Sequence, residues 1–252
     1  SYYLDEDEYE GFFSYKRFAD TDHGDETEVQ RGMYVANAIM VYQFGDSPRW
    51  GRQEHLDLSG DHSAPVNTTL VGSIPMMEDN SKMGAFALSS PTVADIDGDG
   101  TMEVLMGTSM GFVYGLDARN LYPKEHWPVQ FQYGIESRIL VEDVVGDTNL
   151  EIFVMDVGGN VVCLNHKAEK IWHRDLVRSV AHDTQGSEVL ASSPMVLGDV
   201  DGDGVLDVVV SVKIRVPKKP EAQYIFVLSA DTGKDLDYFP MRIGHREGAA
   251  ED

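Results

Sequence analysis

Short apolar runs separated by acidic, glycine-rich turns recur along this chain. Three of the runs are MEVLMGT, EIFVMDV and LDVVVSV, which are rich in valine, methionine, isoleucine and leucine. Runs of this length that end at glycine or aspartate are typical of β-strands, whereas helices need longer segments with a 3.6-residue period. The pattern therefore predicts an all-β chain.

Three units repeat this pattern of apolar runs and acidic turns, at residues 89–117, 137–165 and 192–230. Each unit has a short strand, an acidic loop, a second strand, a tight turn and a third strand, and a further apolar run follows. The loops begin at Asp95, Asp143 and Asp199, so successive loops lie 48 and 56 residues apart. Because a four-stranded propeller blade takes roughly 40 to 50 residues, the spacing predicts blades.

We therefore predict a partial β-propeller of about three full four-stranded blades and part of another, with long loops between strands. The expected parts are the end of a preceding blade at 1–60, a connecting loop at 61–85, blades at 86–133, 134–182 and 188–244, and a tail at 245–252. Open strand edges attract other chains. We expect the remaining blades to come from the parent chain or from another subunit.

Two stretches interrupt the repeat. One is the connection at 61–85, and the other is a segment with proline and lysine at 213–222, placed at the tip of a hairpin. Long loops are usually either functional or mobile, and we expect these two to be mobile.

The acidic loops carry the strongest chemical signal. DIDGDGTME at 95–103 and DVDGDGVLD at 199–207 have acidic residues at loop positions one, three, five and nine, with glycine at four and six. A tight loop of this kind directs carboxylate oxygens and one carbonyl at a hard cation such as Ca²⁺. The predicted ligands are Asp95, Asp97, Asp99, the Thr101 carbonyl and Glu103 in the first loop, and Asp199, Asp201, Asp203, the Val205 carbonyl and Asp207 in the third.

An EF-hand begins in the same way but needs a glutamate at position twelve and a helix on each side. Position twelve is Met106 in the first loop and Val210 in the third, and the flanking runs are typical of strands. The loops are therefore interpreted as β-hairpin versions of a calcium site. The alternative is a pair of acidic turns that bind no metal.

The middle loop, DVVGDTNLE at 143–151, is degenerate. It keeps Asp143, Asp147 and Glu151, but Val145 stands where the second carboxylate belongs. Asn149 offers a carbonyl that would support weak binding. We expect this loop to keep the hairpin shape and to bind little or no metal.

These loops, preceded by the letters SSP and set in blade repeats, resemble the FG-GAP repeats of integrin α-subunit propellers. The strings SSPTVADIDGDG, GTSMGFVYGLDA and LDLSG also resemble the plant defective-in-exine-formation proteins, which are secreted, membrane-anchored propellers needed for pollen-wall patterning. The likeness covers about residues 30–243. It implies an extracellular or secretory-pathway calcium protein of cell-surface or wall assembly, although the literal Phe-Gly and Gly-Ala-Pro strings are absent.

The amino-acid composition limits the classes of partner that the chain is expected to bind. The chain has 20 Lys and Arg against 43 Asp and Glu, giving a formal charge of −23 that disfavours nucleic acid and anionic membranes. Its single cysteine, Cys163, lies in an apolar run and is interpreted as an inert core thiol. No apolar run approaches the roughly 18 residues of a membrane span, and without an initiator Met or signal peptide we expect an interior piece of a longer polypeptide.

Three weaker signals remain. Asn67 begins a glycosylation sequon in the polar connection. The pattern G-x-S-x-G at 107–111 would make Ser109 a hydrolase nucleophile, but it falls in a predicted hairpin turn and not between a strand and a helix. Trp50, Trp127 and Trp172 recur in the presumed outer strands, where packing between blades is favoured over a platform for stacking carbohydrate.

The preferred hypothesis is a calcium-binding extracellular module, not an enzyme, that binds a protein or a glycan in cell-surface or cell-wall assembly or adhesion. The alternative is a propeller enzyme of the polysaccharide lyase or quinone-dependent dehydrogenase type, with most of its catalytic residues outside this segment. A calcium sensor is a third option, but it would need a large shape change that rigid blades disfavour.

Overall fold

The computed structural model describes residues 38–44, 68–75, 86–181 and 185–243. The chain divides into two compact units, one formed by residues 1–85 with 119–121 and the other by residues 86–118 with 122–252.

The first unit contains a two-stranded antiparallel sheet. Strand β1 (Ala38–Phe44) pairs with strand β2 (Thr68–Pro75), and the register shifts between Val41 and Tyr42. The predicted connecting loop at 61–85 therefore contains a strand, which corrects that prediction for residues 68–75. Threonine, valine and isoleucine in β2 favour an extended backbone, and β1 supplies the partner for its hydrogen bonds.

The first sheet of the second unit has four antiparallel strands. They are β3 (Thr92–Ala94), β4 (Glu103–Gly107), β5 (Phe112–Asp117) and β6 (Val129–Gln130), and they lie in chain order across the sheet. Every residue of β4 is buried, as expected for a strand in the middle of a packed sheet.

The second sheet repeats the same arrangement. Its strands are β7 (Leu140–Glu142), β8 (Glu151–Met155), β9 (Asn160–Leu164) and β10 (Lys170–Asp175), again neighbours in chain order. A short helix, α1 (Leu176–Val180), follows β10. The Asp175 side chain caps this helix by accepting a hydrogen bond from the backbone N–H of Arg178.

The third sheet has an additional strand. Its members are β11 (Glu188–Ser192), β12 (Val196–Gly198), β13 (Asp207–Arg215), β14 (Ala222–Ser229) and β15 (Met241–Ile243). Both β11 and β12 pair with β13, because β12 covers the beginning of that long strand and β11 covers its end. The sheet remains four positions wide.

The segment predicted to be a mobile insertion, 213–222, is strand at its two ends and a turn at 216–221. Its first residues extend β13 and pair with β11, and Ala222 begins β14. Arg215 forms ion pairs with Glu188 and Glu221 across the extended hairpin, and Lys213 lies 2.7 Å from Glu221. The prediction of a loop is corrected for residues 213–215 and 222, because β11 supplies an edge partner that the local sequence does not reveal, and the hairpin tip is confined to 216–221.

The core lies on both faces of the middle sheet. Side chains alternate along a strand, so Ile152 and Val154 of β8 join the cluster shared with the first sheet, whereas Phe153 and Met155 join the cluster shared with the third. Cys163 is fully buried in the second cluster, where desolvation raises the pKa of its thiol to about 12. The interpretation of this residue as a core thiol is confirmed.

Two tryptophans join successive sheets. The indole N–H of Trp127 donates to the carbonyl of His166 at 3.4 Å, and that of Trp172 donates to the carbonyl of Ala230 at 2.8 Å. Both indoles are buried, so packing between blades is confirmed for these two residues. Trp50 lies outside the described residues.

Three antiparallel sheets of the same design thus follow one another along the chain. The all-β class and the partial propeller architecture are confirmed. Each acidic loop is held by one of these sheets.

Candidate metal-binding loops

Each acidic loop lies at the same place in its sheet. The loop that begins at Asp95 joins β3 to β4, the one that begins at Asp143 joins β7 to β8, and the one that begins at Asp199 joins β12 to β13. The three loops are therefore repeats in space as well as in sequence.

The carboxylate at position one fixes the turn. Asp95 accepts hydrogen bonds from the backbone N–H groups of Asp99 and Gly100, at 3.1 and 2.9 Å. In the third loop Asp199 accepts from Gly202 and Gly204, at 2.7 and 3.1 Å. Aspartate commonly stabilises turns by this local side-chain to backbone bonding.

The backbone conformation favours glycine at position six. Gly100 and Gly204, at position six, have φ values of +83° and +88°, and a Cβ added at either would meet no atom within 4 Å. Space is therefore not the constraint. The left-handed conformation itself selects glycine at this position.

The structure brings together the carboxylates at positions one, three and five. In each complete loop, three carboxylate oxygens, one from each residue, lie within 4.8 Å of one another; the groups are Asp95, Asp97 and Asp99, and Asp199, Asp201 and Asp203. Oxygens bound to one Ca²⁺ at 2.3–2.6 Å lie at most about 5 Å apart. The donor chemistry and the spacing of both groups therefore fit calcium.

The carboxylates at position nine do not belong to these groups. Glu103 is 0% exposed and Asp207 is 3% exposed. Each turns one oxygen back to the loop, where Glu103 accepts the N–H of Ile96 at 3.0 Å and Asp207 accepts that of Val200 at 2.9 Å. Burial raises the pKa of both carboxyl groups, while the backbone hydrogen bonds oppose that rise. Glu103 and Asp207 therefore stabilise the loop by accepting hydrogen bonds from its backbone from a buried position.

The carbonyl groups at position seven remain predicted ligands. The backbone N–H groups of Thr101 and Val205 donate to Asp99 and Asp203, both at 2.7 Å. These bonds hold the position-five carboxylates close to the backbone that carries the predicted carbonyl ligands.

The middle loop has the same backbone hydrogen bonds with fewer carboxylates. Asp143 accepts from Gly146 and Thr148 at 2.6 and 2.9 Å, and Asp147 accepts from Asn149 at 2.9 Å. Thr148 takes the place of the position-six glycine and adopts a φ of +74°. The hairpin shape therefore survives without the second carboxylate.

The middle loop also keeps the buried carboxylate at position nine that accepts a backbone hydrogen bond. Glu151 is 3% exposed and accepts the N–H of Val144 at 3.0 Å, as Glu103 and Asp207 do in the other loops. Val145, at position three, is 55% exposed. Among the described residues, the metal-competent groups of three include none from this loop.

Lys124 is a component of the first loop that the sequence analysis missed. Its ammonium nitrogen lies 2.7 Å from Asp97, 3.2 Å from Glu103 and 3.8 Å from Asp99. Burial alone would lower the pKa of Lys124, but the hydrogen bonds to Asp97 and Glu103 and the attraction of their negative charges together outweigh burial and raise it. No motif could reveal this contact, because Lys124 follows Asp97 by 27 residues.

The G-x-S-x-G pattern lies in a hairpin turn between β4 and β5. The Ser109 hydroxyl oxygen accepts the backbone N–H of Phe86 at 3.0 Å. The turn lacks the strand-to-helix context of a nucleophile elbow.

Solved structures similar to this chain are propellers. BamB from Moraxella catarrhalis matches with a TM-score of 0.44 and 16% identity, over 74% of this chain and 45% of that one. A europium-containing methanol dehydrogenase matches with a TM-score of 0.37 and 13% identity, over 60% and 25%. The quinohemoprotein alcohol dehydrogenase from Comamonas testosteroni matches with 0.36 and 16%, over 60% and 20%.

These likenesses concern the fold alone, and the chain spans less than half the length of each of the three structures. They nevertheless correct one prediction. The prediction that the chain is not an enzyme, made from the complete loops and the absence of a catalytic constellation, is contradicted, because two of these three similar structures are dehydrogenases.

No family model matches the chain, and no curated protein sequence matches it. The resemblance to FG-GAP repeats therefore remains a prediction. In the parts of the chain that the structure describes, no helix has both the length and the apolarity to cross a membrane. Asn67 lies outside the described residues.

Proposed function

We propose that this chain is a calcium-binding propeller module that presents a surface for protein or glycan binding outside the cell. The observation that carries the proposal is the pair of three-carboxylate groups, each held on a hairpin at the same place in its sheet. Carboxylates this close repel one another, and a divalent cation removes that repulsion.

The loops are suited to a structural ion. Their backbone is already fixed by hydrogen bonds to Asp95 and Asp199, so binding requires little ordering of the chain. Residues Asp95, Asp97 and Asp99, and Asp199, Asp201 and Asp203, would hold the ions, together with the predicted carbonyls of Thr101 and Val205. A bound Ca²⁺ would offset part of the negative charge of the loop and stiffen the turn between the first two strands of the blade.

An extracellular setting agrees with this chemistry. Extracellular calcium modules bind at about 0.1–1 mM, which suits the calcium concentrations found outside cells. The FG-GAP resemblance supports the same location, in a secreted protein or one anchored through another part of the parent chain. The remaining blades of the ring would come from that parent chain or from another subunit.

Partners are proposed on the same basis. A calcium-stiffened rim of hairpin turns offers a fixed surface to a protein or to an extracellular glycan in cell-surface or wall assembly. The negative charge of the chain favours cationic or calcium-bridged partners over nucleic acid.

Calcium titration of the chelator-treated chain tests the proposal. Calorimetry should show binding in the submillimolar to millimolar range, and the melting temperature should rise with calcium but less with magnesium. Asp201→Asn should weaken binding at the third loop. Asp237→Asn is the matched control, because it removes the same charge from an exposed position between β14 and β15.

Two results would sink the proposal. One is a melting temperature that does not change when calcium is added after chelation. The other is an equal loss of calcium binding in the Asp201 and Asp237 variants, which would show a general effect of charge and no specific site.

A further inference from the structure

The two complete loops differ in a residue that lies outside both motifs. Lys124 and Leu236 occupy equivalent positions after the third strand of their sheets. The backbone N–H of Lys124 donates to the carbonyl of Gly115, and that of Leu236 donates to the carbonyl of Val227, both at 2.9 Å. One blade thus places an ammonium group where the other places an aliphatic side chain.

The Lys124 ammonium lies among the carboxylates of the first loop. It bridges Asp97 at position three and Glu103 at position nine, at 2.7 and 3.2 Å. The side chains of Lys124 and Asp97 are only 22% and 23% exposed, and that of Glu103 is 0% exposed. Ion pairs with this much shielding are screened less by water and salt than pairs on an open surface.

The third loop lacks a comparable cation among the described residues. In the part of the chain that the structure describes, no lysine or arginine forms an ion pair with Asp199, Asp201 or Asp203. Among the described residues, the repulsion in this loop is therefore opposed by backbone N–H groups and by no ammonium or guanidinium group.

We propose that Lys124 is the resident cation of the first loop and competes there with calcium. The inference rests on the proposed calcium function, and it ranks the two loops by their affinity for calcium. The third loop binds calcium more tightly. The first loop binds it only when the ammonium leaves Asp97, because two positive charges cannot share that carboxylate without repulsion.

The expected difference in affinity follows from the contacts that calcium must break. A hydrogen bond to a charged group contributes enough free energy to change an equilibrium by about ten-fold or more. The first loop should therefore bind calcium at least about ten-fold more weakly than the third.

Exchanging the two residues tests the proposal. Calcium calorimetry on the whole chain should resolve one tighter and one weaker site in the unmodified protein. Lys124→Leu, which installs the residue of the third blade, should strengthen the weaker site by about ten-fold and leave the tighter one unchanged. Leu236→Lys should weaken the tighter site.

Two further variants assign the sites and control for misfolding. Asp201→Asn should weaken the tighter site and leave the other unchanged, which identifies the tighter site with the third loop. Lys124→Arg keeps a cation on a long side chain and should leave the first loop weak. Melting curves in chelator show whether each variant folds, and Lys124→Gln replaces Lys124→Leu if the leucine variant does not.

The outcomes separate the two proposals. Two sites of equal affinity that do not change in Lys124→Leu would overturn the role of Lys124 and leave the calcium function standing. No calcium binding in the unmodified chain or in any variant would overturn both.

Discussion

The first and third acidic loops show how far one motif determines a site. Both have carboxylates at positions one, three, five and nine, both turn through left-handed glycines, and both brace the loop with a buried carboxylate. They differ at one distant position, where Lys124 supplies a positive charge in one blade and the equivalent Leu236 supplies none in the other. The motif thus determines the shape of the loop, while the rest of the blade determines which charged groups surround it.

The middle loop supports this distinction, because it has the same shape without the full set of carboxylates. It forms the same hairpin with Val145 at position three and Thr148 at position six. Its shape depends on Asp143 and Glu151, which accept backbone N–H groups, and not on a complete set of metal ligands. Shape and metal chemistry can therefore be changed independently.

The largest effect is expected from removing the buried carboxylate at position nine. Glu103→Ala leaves the N–H of Ile96 without its acceptor and takes a partner from Lys124, so we expect a loss of about 2–3 kcal/mol in the free energy of unfolding. Asp207→Ala removes only the acceptor of Val200 and should cost about 1–2 kcal/mol. Urea unfolding in chelator measures both.

A third variant tests the ion pair between Glu103 and Lys124. Glu103→Gln keeps an acceptor for the N–H of Ile96 but removes the charge, so its cost should lie between zero and that of Glu103→Ala. Equal losses in Glu103→Ala and Asp207→Ala would show that Lys124 contributes nothing to the stability of the first loop.

A gain of function is expected in the middle loop. Val145→Asp restores the position-three carboxylate at an exposed site, where no charge has to be buried. One additional calcium should bind in calorimetry, and at a concentration 100-fold above its dissociation constant it should stabilise the chain by about 2.7 kcal/mol. Val145→Asn supplies a matched control without the charge, and an unchanged stoichiometry in Val145→Asp would show that position three is not a ligand.

The smallest effect concerns the backbone of the middle loop. Thr148 holds a φ of +74°, which is costly for a β-branched residue. Thr148→Gly removes this strain but loosens the unfolded chain, so the net gain should be only about 0.5–1 kcal/mol. Thermal melting in chelator measures it, and Thr148→Ala, which cannot relax in the same way, should show less than half of the gain.

Local features of the sequence predicted much of the fold. Short apolar runs gave the central strands, and the acidic loops fell between the first two strands of each sheet as expected. These predictions hold because strand propensity, left-handed glycines and aspartates that bond to nearby N–H groups all act within a few residues. The same locality explains the misses at residues 68–75 and 213–215, whose strands depend on partners far away in the chain.

The sequence by itself determined the repeat, the hairpin loops and the carboxylates of the two candidate sites. Only the tertiary structure decided that Glu103 and Asp207 lie beneath their loops, and that a lysine 27 residues beyond Asp97 supplies a positive charge to one loop alone. The reason is physical. Turn geometry depends on neighbouring residues, whereas the electrostatic balance of a site depends on every charge that folding brings within a few ångströms.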